Sequence, residues 1–89
     1  MFYPEELNSI NRRKYDVLIS NGHDCRMRSR LTGHEWVVIS DYNGMSCMIL
    51  HRNSGRDGFH RQRGTYPSLE AALDYIMRHD AYVHSRKQL

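Results

Sequence analysis

Arg26, Arg28 and Arg30 stand at every second position, interleaved with Cys25, Met27, Ser29 and Leu31. On an extended strand this spacing puts three guanidinium groups on one face and the apolar partners on the other. A guanidinium is a planar fork that pairs bidentately with phosphates, guanine edges and carboxylates, so the chemistry implied is anion recognition. Arg52 and the Gly-punctuated stretch from Asn53 to Gly64, with Arg56, Arg61 and Arg63, add further cations. Phe59 lies among them and is an aromatic of the kind on which bases stack. The candidate binding residues are therefore Arg26, Arg28, Arg30, Arg52, Arg56, Phe59, Arg61 and Arg63.

Other reactive side chains carry less. Six histidines and two cysteines invite a zinc reading, and His23-x-Cys25 with Cys47-x-x-x-His51 could converge on one sheet face. Neither pair has a zinc-finger spacing, so no metal and no cofactor are expected. On a strand, Cys47 and His51 are separated by roughly 13 Å, too far for a thiolate–imidazole pair. His34-Glu35 lacks the second histidine of a zinc-protease helix, and there is no Gly-rich phosphate loop or paired-carboxylate motif. The expectation is a non-enzymatic protein. Two cysteines are too few for a disulfide scaffold and are expected to be thiols.

These groups must be positioned by a sheet. Glu35–Asp41 and Met45–Arg52 are rich in strand formers, and Asn43-Gly44 between them is a strong hairpin signal because both residues tolerate positive φ. A two-residue turn there sets Ser40 opposite Cys47, Val38 opposite Ile49, Trp36 opposite His51, and Glu35 against Arg52 as a cross-strand ion pair. The same arithmetic about Thr32-Gly33 sets Arg30 opposite Glu35, Ser29 opposite Trp36, Met27 opposite Val38 and Cys25 opposite Ser40. One face then carries Cys25, Met27, Trp36, Val38, Cys47, Ile49 and His51. The other carries the arginines beside Val37, Ile39, Met48 and Leu50.

Ser68 is a predicted N-cap, and Leu69, Ala72, Leu73, Ile76 and Val83 follow one helical stripe, so a C-terminal helix to about His84 covers the first face. A loop and then a short strand between Phe59 and Tyr66 are expected before it. Residues 4–21 read best as one amphipathic helix, with Arg12-Arg13-Lys14 on its solvated face. Tyr15–Ser20 also reads as a strand that would turn at Asn21-Gly22. The apolar patch Val37, Ile39, Met48 and Leu50 needs a cover: the N-terminal segment, a second copy or a partner.

The fold class that follows is α+β: a small antiparallel sheet of three to four strands packed by a C-terminal helix, with an N-terminal helix or extra hairpin strand. Eighty-nine residues fit one domain, 1–89. Thirteen basic residues against ten acidic ones give +3, and eleven of the thirteen are Arg. The excess is regional: residues 12–34 hold six bases against Asp16 and Asp24 only. No signal-peptide layout and no membrane-length apolar run occur, so a cytoplasmic protein that does not engage a membrane is expected.

Three antiparallel strands with Trp36-Val-Val-Ile39 in the middle one, followed by Gly64-Thr-Tyr-Pro-Ser-Leu-Glu-Ala-Ala-Leu-Asp-Tyr75 entering a helix, resemble two families of DNA-binding domain. These are the sheet-plus-helix domains of plant ethylene-response factors and the N-terminal arm-binding domains of tyrosine integrases. The likeness spans roughly residues 25–80. It implies a sheet face lying in the major groove, with Arg26, Arg28, Arg30 and Arg52 as readers. Two functions are thus expected: a nucleic-acid-binding accessory protein, or a protein-binding inhibitor of a host complex such as phage and mobile elements encode, anti-CRISPR proteins among them. A homodimer is compatible with either.

Overall fold

The computed structural model describes residues 2–41, 46–53 and 57–87. A short helix α1 (Pro4–Asn8) precedes four six-residue strands, β1 (Tyr15–Ser20), β2 (Asp24–Ser29), β3 (Glu35–Ser40) and β4 (Cys47–Arg52). A two-residue β5 (His60–Arg61) and a 19-residue helix α2 (Leu69–Lys87) complete the chain. The strands form one antiparallel sheet in the order β1-β2-β3-β4-β5. The expected α+β architecture holds, and both alternatives offered for the N-terminal segment are partly realised, as a helix and as a strand.

The long amphipathic helix over 4–21 does not form. Pro4 opens α1, and the Tyr3 backbone N–H donates to Glu6 Oε1 at 3.0 Å. The helix ends where Ser9 Oγ donates to the Glu6 carbonyl at 2.6 Å and Asn11 Oδ1 accepts from the Arg13 N–H at 3.0 Å. Short polar side chains thus supply the backbone partners a continued helix would have provided. Arg12 and Arg13 lie in the resulting exposed connection rather than on a helix face. The β-branched Val17 and Ile19 then pair with β2, with a bulge between them.

The β3–β4 register is the expected one: Glu35↔Arg52, Trp36↔His51, Val38↔Ile49 and Ser40↔Cys47. Its Asn43-Gly44 turn lies outside the described residues. The β2–β3 register differs from expectation by two residues, with Arg28↔Glu35, Met27↔Trp36 and Cys25↔Val38. The connection is not a two-residue Thr32-Gly33 turn. Ser29 N donates to His34 O at 2.8 Å and Gly33 N to Ser29 O at 2.9 Å, leaving residues 30–33 as the loop. Gly33 closes it at φ +78, a conformation that favours glycine. Because side chains alternate with period two, a two-residue displacement changes every partner and no face.

The helix-facing side is therefore as expected. Cys25, Met27, Trp36, Val38, Cys47 and Ile49 are buried there against Leu69, Ala72 and Ile76 of α2. Ser68 caps α2, its Oγ accepting from Ala71 N at 3.1 Å. Phe2 and Ile10 join the same cluster, so the N-terminal segment packs on the helix side and leaves the opposite sheet face open. Among the described residues no helix is long and apolar enough to cross a membrane.

Candidate functional site

The open face is organised around Glu35, whose side chain is 1% exposed. Its Oε1 receives Arg26 Nη2 at 3.3 Å and Arg28 Nη2 at 3.2 Å, and its Oε2 receives Arg52 Nε. The Arg52 hydrogen bond holds this carboxyl below the usual range, overcoming burial, with Arg26 and Arg28 acting in the same direction. Alternation places Arg26 and Arg28 on one face of β2, and the cross-strand pair brings Arg52 to the same carboxylate. Phe59 lies over this cluster, its ring centroid 4.3 Å from Arg52 Cζ and 5.3 Å from Arg26 Cζ. The arrangement is layered: a buried carboxylate, guanidinium groups, then a half-buried aromatic.

The other sequence-predicted residues are distributed around it. Arg30 lies beyond the end of β2 and pairs with Asp16 at 2.6 Å, so it is not the partner of Glu35. Arg61 of β5 lies across from Leu50 and is exposed, and Arg63 is exposed in the following turn. Neither forms an ion pair with a described residue. Arg56 lies outside the described residues. The strand alternation thus gathers Arg26, Arg28, Arg52 and Arg61 on one face, with Arg30 at its end, against the carboxylates of Asp16, Asp24 and Glu35. Val37, Ile39, Met48 and Leu50 form the half-buried apolar part of this face, and Ile19 extends it at 48% exposure. Acidic groups collect elsewhere, as Glu5, Glu6, Glu70 and Asp74 line a groove between α1 and α2.

A second cluster has no counterpart in the expectations. His34 precedes β3, His51 lies on β4 and His79 on α2, and one nitrogen of each falls within 4.8 Å of the others. His51 Nε2 and His34 Nδ1 are 2.9 Å apart. Trp36 stacks on His51 at 4.1 Å between centroids and meets His79 edge-on at 5.1 Å. Burial pushes the His51 imidazole down to about 4, helped by the neighbouring His34 and His79. His79 Nδ1 is buried without a hydrogen-bond partner. A signal was available: the expected register puts His51 on the helix-facing side, and His79 follows Ile76 by three on the buried stripe.

The His23, Cys25, Cys47 and His51 grouping that the sequence left possible, though not expected, does not assemble. His23 is exposed in the β1–β2 turn, and no group containing Cys25 and Cys47 has metal-ligand spacing among the described residues. Both cysteines are free and buried, and burial pushes each thiol up to about 11. Cys47 Sγ donates to the Ser68 carbonyl at 3.4 Å. Asp80, 3% exposed, accepts from Thr32 Oγ1 at 3.1 Å, tying α2 to the β2–β3 loop. No family model, no curated protein and no solved structure matches the chain.

Proposed function

We propose that this protein is a small non-enzymatic binding protein of the cytoplasm that engages nucleic acid through its open sheet face. The observation that carries the reading is the excess of guanidinium groups over carboxylates on the one sheet face that α2 does not cover. Glu35 offsets only part of the charge of Arg26, Arg28 and Arg52, since one carboxylate serves three cations. Arg28 and Arg61 are exposed enough to reach phosphates, and Phe59 offers a ring beside them. The resemblance to sheet-plus-helix DNA-binding domains points the same way. Acidic residues on the helix side orient the cationic face toward a polyanion.

The row Ile19, Val37, Ile39, Met48 and Leu50 favours a second reading, a protein partner of the inhibitor type with an apolar centre and an Arg rim. Anisotropy titrations with duplex and single-stranded DNA and RNA across salt separate the two. In the nucleic-acid reading log Kd varies steeply with log salt, each neutralised duplex phosphate contributing roughly 0.9 to the slope, and Arg28→Ala or Arg61→Ala lowers it by about one contact. Absence of binding to any of these ligands at low ionic strength ends the first reading and promotes the second.

A further inference from the structure

We infer that His34, His51 and His79 form a binding site for a divalent transition-metal ion, zinc foremost, held between the sheet and α2. Three imidazoles, from the residue before β3, from β4 and from α2, present nitrogens within 4.8 Å of one another. A tetrahedral ion with Zn–N bonds of 2.0–2.1 Å needs its ligand nitrogens about 3.4 Å apart. The His34–His51 pair, at 2.9 Å, requires only slight opening, and the third nitrogen moves inward by about the length of one bond. Imidazole sets suit Zn, Cu, Ni and Co rather than Mg or Ca.

Two further observations point to a ligand. His79 Nδ1 is buried with no partner, an arrangement that costs free energy unless something accepts its lone pair or hydrogen. The short His34–His51 contact holds one hydrogen between two ring nitrogens. An ion takes that hydrogen's place while the donor ring carries its hydrogen on its other nitrogen, so no oxidant or further reactant is needed. Trp36 against His51 and His79 supplies a packed wall. Three protein ligands leave one coordination position for water or a partner's side chain. The inference is independent of the open sheet face.

The test uses the full chain, tag-free and stripped with chelator, titrated with zinc chloride and separately with cobalt chloride. One ion should bind per chain, cobalt should give the intense visible absorption of a tetrahedral site, and zinc at about 100-fold above its Kd should raise the melting temperature by about 10 °C or more. His79→Ala should abolish the shift and the cobalt spectrum while remaining folded, because His79 contributes only ring contacts to the core. His51→Gln is the second variant, with the same expected loss. His23→Ala, at an exposed turn, should bind like the parent. No stoichiometric binding at millimolar zinc, or equal binding by His79→Ala and the parent, overturns the inference.

Discussion

Replacing Glu35 with glutamine separates stability from binding on the open face. The carboxylate accepts from Arg26, Arg28 and Arg52 and is 1% exposed. Removing one member of a buried ion cluster costs about 3–5 kcal/mol because the remaining charges lose their counter-ion. The figure is discounted here, since the Arg28 side chain is 50% exposed and Arg26 30%, so both regain water, and glutamine keeps one acceptor oxygen. The expected loss is about 2–3 kcal/mol, a fall in melting temperature of roughly 10–20 °C for a domain of this size. Duplex affinity should move the other way. The variant's net charge rises by one from +3, and guanidinium groups no longer shared with Glu35 turn to phosphate, steepening the salt slope by about 0.9. The pH response supplies a check on the cause. Glu35 has a folded pKa below its unfolded value, so its stabilisation is present above about 4.3 and lost as pH falls through the folded value. The variant should lack that acid-induced loss. Thermal melts from pH 7 to 3, with anisotropy measured where both proteins are folded, decide the matter. A melting temperature within 2 °C of the parent, or affinity and stability falling together, would refute the reasoning.

Between pH 7 and 5 the parent should lose about 1–2 kcal/mol in urea denaturation. His51 titrates near 4 when folded and about 6.5 when unfolded, so the unfolded chain takes up more protons in that window; a pH-independent midpoint would count against the buried imidazole. Met48→Glu should lower the melting temperature by only a few degrees, because Met48 is half-buried on the face α2 does not cover, and a drop above 10 °C would reveal a cover over that face. Gly33→Ala should lower stability by about 1 kcal/mol through its φ of +78 alone, since a Cβ there meets nothing within 4 Å. Cys25 and Cys47 should react with a thiol reagent at pH 8 only after unfolding, and fast labelling of the native protein would contradict their burial.

The central hairpin, the face assignments and α2 were legible in the amino-acid order because each depends on neighbours a few residues apart. Alternation decided which side of the sheet Trp36, Val38 and Ile49 occupy, and Ser68 with the Leu69–Ala72–Ile76 spacing decided the helix and its buried stripe. The Glu35–Arg52 pair followed from the same register. Where two local solutions competed, the sequence left the choice open. Ser9 and Asn11 ended α1 through hydrogen bonds whose advantage exists only once β1 gains a partner in β2. The loop at Arg30–Gly33 displaced the β2 register by two residues, which moved Arg28 rather than Arg30 to Glu35. Arg26 and Arg28 reach that carboxylate from a neighbouring strand, and Phe59 closes over them from a loop. No linear pattern encodes those meetings. The histidine cluster is the furthest from local order, because His34, His51 and His79 meet only where α2 crosses the sheet, and the docking of helix on sheet is set by the packing of the whole core.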